Sequence, residues 1–349
     1  MGKLAVFKYF SFLFLIITFL VITFTIAALF GGHVSPVGNT ALAMLVYILP
    51  ILIIANIVIL FYWLLRRRWH WAAFPFVMVL CCIPYIGTIH QPRSLASDNK
   101  AGLKIATYNV ALFGRETSGF KAEDILAQMK RQKVDILCMQ EYLDVSGDKK
   151  NSTSYQDFFP YMATGRNDMV IYSRYPIKES KTIEFEQTNN SAMWADVDVN
   201  GRDLRVFNVH LQTTGINSTL RHAGKMLVQG VDVNNNVFVK LLYGNYTRGM
   251  LVRARQAEQL AQERDASPHP VIMCGDFNDV PYSYVYNTML GDLTDGFMEC
   301  GSGYMFTYRG NKKVRIDYIF HDKSLEGVNY YTQDLSYSDH YPVFMKLEL

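Results

Sequence analysis

Two long stretches without a single charged side chain, Tyr9–Phe30 and Ala41–Leu65, restrict this chain more than any other feature in it. At ~1.5 Å of rise per residue, each is long enough as a helix to cross a hydrocarbon layer of roughly 30 Å. A helix that is apolar on every side must be hidden on every side, and a bilayer does this without a protein partner. Trp69–Ile89 makes a third, shorter run. It is interrupted by Pro75 and Pro84 and flanked by Trp69, Trp71 and Tyr85, residue types that suit the membrane–water interface. A cleaved signal peptide would show a shorter apolar stretch and a small-residue cleavage site, so the first run reads as a retained span. Residues 1–90 are therefore expected to be a membrane segment with two or three transmembrane helices, 91–102 a linker, and 103–349 one large domain.

Basic residues set the expected orientation in a plasma or inner membrane. Lys3 and Lys8 precede the first run, Arg66-Arg67-Arg68 follows the second, and the loop between the two runs has no Lys or Arg. With three spans both clusters lie in the cytoplasm and residues 91–349 lie on the other side; with two spans they stay inside.

The formal net charge of +3 is too small to argue for a nucleic-acid partner on electrostatics alone. The five cysteines are read as packing residues, because no CxxC or Cys/His spacing points to zinc and their positions do not make a disulfide framework.

Beyond the linker the pattern changes to short apolar runs separated by turns. Strands are expected at Leu103–Val110, Val134–Met139, Met169–Ser173, Val271–Cys274, Arg315–Phe320 and Val343–Leu347, with a further one near Met305–Tyr308. Ala192–Val199 and Leu204–Val209, joined at Asn200-Gly201, read as a hairpin. Ala122–Gln132 puts Ile125, Leu126 and Met129 on one helical face, and Tyr282–Leu290 follows a loop after the central strand. Asn217–Arg264 is longer and helix-compatible in its second half. Its Arg248, Arg253, Arg255 and Arg264 read as a solvated face, or else as a track for a nucleic acid backbone, with Tyr243 and Tyr246 as thin aromatic support. Many strands with few helices imply an α+β architecture of two packed sheets with helices outside.

Polar residues recur at the ends of these strands. Asn109, Glu141 and His210 each close a strand, and Asp276 and Asn278 stand two apart after Val271-Ile272-Met273-Cys274-Gly275. In extended chain such a pair faces the same side. Asp317 lies inside the apolar Arg-Ile-Asp-Tyr-Ile-Phe, where a carboxylate is costly without a partner, and Asp339-His340 precede the last strand.

Thr-Tyr-Asn-Val, Met-Gln-Glu, Asn-Val-His-Leu, Gly-Asp-Phe-Asn-Asp, Arg-Ile-Asp-Tyr-Ile and Ser-Asp-His-Tyr-Pro-Val occur in an order that resembles the endonuclease/exonuclease/phosphatase superfamily. The resemblance covers about Leu103–Leu349 and stops short of the membrane segment. It implies a four-layered α/β sandwich and a divalent-metal-dependent hydrolase acting on phosphate esters. Phosphodiester attack needs cations and donors, because negative charge grows on the phosphoryl oxygens. Asn109 and Glu141 offer hard oxygen ligands for Mg²⁺ or Mn²⁺, and by the resemblance Asp339 adds a third. Asp276, held by Asn278, is the candidate to deprotonate the attacking water, and His340, oriented by Asp317, the cation facing a phosphate oxygen. His210 matches the second histidine of the deoxyribonuclease-like and sphingomyelinase-like branches; which histidine is the general acid stays open. Arg174 in Tyr-Ser-Arg-Tyr-Pro-Ile resembles the family's serine–arginine turn, and Asn167 or Asp168 is a candidate support for His210, with a surface-loop role as the alternative for each.

The tyrosine motif of the abasic-site enzymes is absent, which counts against a repair nuclease. The expected partners are a phosphate-ester substrate, either nucleic acid or phospholipid, and the bilayer itself. A non-catalytic scaffold that kept the sandwich is the competing class, and it would be expected to lose Glu141, Asp276, Asn278 or His340, none of which is replaced.

Overall fold

The protein is described by a computed structural model over residues 3–94, 101–111, 122–142, 157–166, 168–186, 188–215, 219–220, 224–225, 235–310, 313–335 and 337–349. The chain divides into two compact units, Met1–Thr88 with Pro281–Asn287, and Ile89–Val280 with Thr288–Leu349.

The first unit is helical: α1 (Lys3–Gly31), α2 (Thr40–Met44), a 3₁₀ turn (Leu45–Ile48), α3 (Leu49–Leu65), α4 (Trp69–Cys81) and α5 (Ile83–Gly87). Three stretches, Tyr9–Gly31, Thr40–Leu65 and Trp69–Gly87, are long and apolar enough to cross a membrane. Some of the polar side chains in them pair between helices. Asn56 Nδ2 donates to Thr25 Oγ1 and to the Leu52 carbonyl, both at 2.8 Å, and Trp63 Nε1 donates to Thr18 Oγ1 at 2.9 Å. Such bonds lock α1 to α3 where water cannot compete, and Phe14 stacks on Tyr62 at 3.8 Å beside them.

The second unit carries two six-stranded mixed sheets flanked by helices. Its strands are β1 (Leu103–Asn109), β2 (Ile136–Gln140), β3 (Tyr161–Thr164), β4 (Val170–Ser173), β5 (Ile177–Glu184), β6 (Ser191–Val199), β7 (Arg202–His210), β8 (Val271–Asp276), β9 (Thr294–Asp295), β10 (Asp317–His321), β11 (Glu326–Thr332) and β12 (Val343–Glu348). One sheet runs β9-β10-β8-β7-β6-β5, and the other β11-β12-β1-β2-β4-β3. The expected hairpin is β6–β7, turning at Asn200-Gly201.

Alternation along the central strands makes the layers. Ile105, Ile136 and Cys138 of one sheet meet Val206, Ile272, Cys274 and Ile319 of the other between the sheets, while Ala106, Leu137 and Met139 face away. That outer face is covered by α6 (Ala122–Arg131), which buries the expected Ile125, Leu126 and Met129. α7 (Asn235–Asp265) buries Met250, Ala254, Ala257 and Leu260, and Lys181 of β5 pairs with its Glu263 at 2.6 Å.

Four strands were not anticipated, namely β3, β5, β9 and β11, and these are the four edges of the two sheets. An edge strand is covered less, so its sequence shows little apolar signal; in β5 a single residue, Ile183, is buried. Met305–Tyr308 differs in the other direction. Among the described residues it makes isolated bridges, of Tyr308 to Val314 and to His340, and no strand. The stretch expected to be linker is held at its start: His90–Gln91 pairs with Gly303–Tyr304, and the Arg93 guanidinium donates to the Met298 and Glu299 carbonyls. All five cysteines are free, four buried and Cys81 exposed.

Candidate active site

Register brings the polar strand ends together. Asp276 closes β8, directly opposite His210 at the end of parallel β7 and opposite Asp317 at the start of antiparallel β10. Three of the candidate side chains thus stand in a row across one sheet. On the other sheet Asn109, ending β1, is level with Gln140, ending β2, and Glu141 follows at once. The two mouths meet through Asn109, whose Nδ2 donates to Asp276 Oδ2 and to Glu141 Oε1, both at 3.1 Å.

Backbone geometry at this end is unusual. Gly275 has φ +138°, and a Cβ there would lie 2.0 Å from the Val209 carbonyl oxygen, so only glycine lets β8 approach β7 closely enough to aim Asp276. Glu141 and Asn278 sit in the left-handed region at φ 51° and 52°. For Glu141 this costs about 1–2 kcal/mol. The turn is held by the Tyr142 amide donating to the Asp168 carbonyl at 2.8 Å. Asn278 fastens its neighbours: its amide donates to Asp276 Oδ1 at 2.9 Å, and its side chain to Asp276 Oδ2 at 3.2 Å and to the Leu211 carbonyl at 2.9 Å.

Electrostatics separates the two histidines. His340 is buried with Nδ1 at 3.0 and 3.1 Å from the Asp317 carboxylate and Nε2 at 3.7 Å from Asp276. Burial would depress its pKa, but Asp317, Asp276 and Asp339 outweigh that and push it up to about 10, so it is an imidazolium at neutral pH. His210 is pulled the other way. Burial lowers its pKa against the attraction of Asp276, with His340 adding to the fall. Among the described residues neither of its ring nitrogens has a hydrogen-bond partner, though Glu141 Oε1 and Asp168 Oδ2 stand 3.8 and 3.9 Å away. Asp276 is raised to about 6 by burial, with His340 opposing and Asp317 adding to the rise. Asp168 is raised to about 7 by burial and the Glu141 charge.

Asp276, Asp317 and His340 present ligand atoms within 4.8 Å of one another, compact enough for a cation. Yet His340 as imidazolium has no lone pair to give an ion and cancels one of the two carboxylate charges. Glu141 fits the ion better: its carboxylate is about one third exposed and borders the neutral His210. Asn109 turns its Nδ2 toward Glu141 while its Oδ1 accepts the Ala111 amide at 3.1 Å, so it would join the ion with its amide turned over. Asp339 is half-buried next to His340, in a turn that reaches β1 through Ser338 Oγ, which donates to the Asn109 carbonyl at 2.8 Å.

Several residues that organise this site were missed in the sequence. Gln140 Nε2 donates to Thr107 Oγ1 and, across the sheets, to Asn208 Oδ1 at 2.6 Å; Asn208 Nδ2 in turn donates to the Met139 and Val170 carbonyls. Thr307 Oγ1 accepts the Ile316 and Asp317 amides at 3.0 Å. Asn208 carried the signal that singled out Asp317, a polar residue inside an apolar run. Thr307 and Ser338 carried none, since isolated hydroxyls are common in loops.

Other expectations are displaced. Arg174 lies at the far end of β4, where its Nη1 pairs with Asp135 at 2.7 Å and its guanidinium covers Phe158. Asn167 lies outside the described residues, while Asp168 does flank His210. The arginines of α7 are not one solvated face. Arg248 and Arg255 are exposed, but Arg253 is fully buried, with Nε 3.1 Å from Asp279 and Nη1 donating to the Gln212 carbonyl. Arg264 caps the Thr288 and Met289 carbonyls. A guanidinium can turn inward when a carboxylate and a carbonyl answer its charge, which residue type alone does not reveal.

Residues 106–340 match the endonuclease/exonuclease/phosphatase family, and residues 11–89 match a domain of unknown function. No curated protein matches the chain. Among solved structures the chain is similar to a humanized D. rerio TDP2 carrying 14 mutations, at 19% identity and TM-score 0.53, over 72% of this chain and 100% of that one. D. rerio TDP2 complexed with a single-strand DNA product aligns with 19% identity and TM-score 0.51 over the same shares. A Bacteroides vulgatus endonuclease/exonuclease/phosphatase aligns with 17% identity and TM-score 0.50, again over 72% and 100%. At these identities the likeness is one of fold.

Proposed function

The chain belongs to the endonuclease/exonuclease/phosphatase family, and from that premise we propose that it is a membrane-tethered, divalent-cation-dependent phosphoesterase that hydrolyses a phosphodiester. The observation that carries this reading is the one cluster in which Asn109, Glu141, His210, Asp276, Asp317 and His340 meet, with the proton affinities of its two histidines pushed apart. Asp276 is poised to take a proton from water: its pKa of about 6 leaves it ionised at neutral pH yet more basic than a solvated aspartate. Asn278 and Asn109 fix both of its oxygens, so the lone pair that faces the substrate is defined. His340, kept cationic by Asp317, offers Nε2 as a charged donor to a phosphoryl oxygen. His210 is neutral, and its nitrogens are open to a second oxygen or a water.

Mg²⁺ or Mn²⁺ held by Glu141, with Asn109 and Asp339, would supply Lewis-acid stabilisation of the growing phosphoryl charge. The three apolar helical stretches support the tether, with the catalytic unit on the non-cytoplasmic face if all three span. A reporter fused near Lys100 that behaves as cytoplasmic would refute that orientation.

The deciding assay is hydrolysis of bis-p-nitrophenyl phosphate by the full-length protein in detergent, with Mg²⁺ and with EDTA. Turnover that is abolished by EDTA and restored by Mg²⁺ is expected. Activity unchanged in Asp276→Ala and His340→Ala together would remove the mechanism. DNA, RNA, sphingomyelin and a phosphoinositide offered side by side then separate nucleic acid from phospholipid.

A further inference from the structure

α7 changes character along its length. Its last quarter, from Glu258, carries Glu258, Glu263 and Asp265, whereas Asn235–Ala257 has no acidic residue and contains Lys240, Arg248, Arg253 and Arg255. Arg253 is committed to Asp279, which leaves Lys240, Arg248 and Arg255 as the exposed cations. The same half carries large apolar side chains in the open: Val237 is 63% exposed, Val239 61%, Leu241 49% and Tyr243 57%.

Their angular placement decides what can cover them. At about 100° per residue, Val237 and Leu241 lie within roughly 40° of each other, while Val239 and Tyr243 fall on the opposite side. A folded partner would cover one side of the helix and leave the other in water. A fluid apolar phase covers both at once. The composition agrees, since an apolar tip with tyrosine and nearby cations matches a helix that enters the acyl boundary while Lys and Arg meet anionic headgroups. Val237 to Tyr243 rise roughly 9 Å along the helix, a depth at which the stem of Lys240 can still carry its charge to the headgroups.

We propose that the amino-terminal part of α7 is a second membrane contact, inserting the tip that bears Val237, Val239, Leu241 and Tyr243 into a leaflet containing anionic lipid. The inference rests on the membrane tether proposed above. It has a consequence for the site. Further along the helix, Asn245, Arg248, Gly249 and Val252 line a cavity of about 250 Å³ whose other wall is Gln212–Gly215, two residues past His210. Gly249 permits that approach, as a Cβ there would stand 2.9 Å from the Thr213 carbonyl oxygen. Seating the tip in lipid would hold this cavity, with Arg248 at its rim, at the level of lipid headgroups.

The test uses full-length protein with Cys81→Ser, because the other four cysteines are buried, and single cysteines introduced by Leu20→Cys, Leu241→Cys or Ser324→Cys. Each is labelled with an environment-sensitive fluorophore and reconstituted in vesicles of phosphatidylcholine and phosphatidylglycerol containing acyl-chain nitroxide lipid. Quenching at position 241 comparable with that at position 20 in α1, with none at 324, is expected, and Lys240→Glu with Arg248→Glu should reduce the signal at 241 alone. Quenching at 20 but not at 241 overturns the second contact and leaves the tether standing. Blue-shifted emission at 241 without quenching marks a protein partner and overturns it as well. No quenching at either position removes the tether and the contact together.

Discussion

The two ends of the β5–β10 sheet bury charge in opposite ways. At one end Arg205, opposite Val271, is closed on Asp196 by two hydrogen bonds of 2.7 Å, and its guanidinium stacks 3.6 Å over Trp194. About 17 Å along β8, at five residues of ~3.4 Å each, the other end holds His210, Asp276 and Asp317 with His340 against them. There the backbone is bent, His210 has bare nitrogens, and Asp276 and His340 hold shifted proton affinities. A closed pair spends its electrostatic field on itself and stabilises the sheet. An open cluster keeps part of that field for a group that approaches it, which is what a catalytic site requires.

The sharpest way to break this contrast is to remove one carboxylate from each end. Asp276→Ala should lower hydrolysis by about 10²–10⁴-fold, with the melting temperature unchanged or raised, because burial already disfavours its charge. A parallel loss of folded structure in circular dichroism would place Asp276 with the structural pairs instead. At the other end Arg205→Ala leaves Asp196 buried without its fork and should cost about 3–5 kcal/mol of stability. Turnover measured well below the melt should hold, and adding Asp196→Ala should recover much of the loss in a denaturation curve. Between the two effects lies the bridge from sheet to sheet. Asn208→Leu removes one of the two partners of Gln140 Nε2 and the donor to the Met139 and Val170 carbonyls, and should cost about 1–3 kcal/mol, with a fall in turnover because Glu141 follows Gln140 directly.

The smallest effect is on pH dependence. Asp276 is protonated, and so useless as a base, as pH falls through about 6, and His340 loses its cation as pH rises through about 10. Activity should therefore plateau between these limits, and Asp317→Asn should bring the upper edge down. The folded pKa of His340 lies above its ordinary 6.5, so its contribution to stability is complete below about 6.5 and is lost as pH rises through about 10. A melting temperature flat from pH 7 to 10 would contradict the Asp317–His340 pairing.

Much of this site was legible before any coordinates, but unevenly. Asp317 stood out because a carboxylate inside Ile316-Asp317-Tyr318-Ile319 has to be answered by a partner, and His340 is that partner. Arg253 and Arg315 obey the same rule from the cationic side, each buried against an aspartate, yet arginine in a sequence reads first as surface. Central strands were visible because both of their faces are covered. The edges β3 and β5 were invisible because they bury one residue each, whereas β11 buries three and was missed all the same.

By itself the sequence determined what depends on composition along the chain. The uncharged runs demand an apolar phase, the strand–turn punctuation demands packed sheets, and polar residues at strand ends demand partners. Which partners, and at which end, was decided only by tertiary structure. Register between β7, β8 and β10 sets His210, Asp276 and Asp317 level, and the packing of one sheet on the other brings Asn109 within 3.1 Å of Asp276. Proton affinity follows from that decision, because burial and neighbouring charge are properties of a place in space: two histidines of one residue type become an imidazolium and a neutral ring once the fold has given them different neighbours.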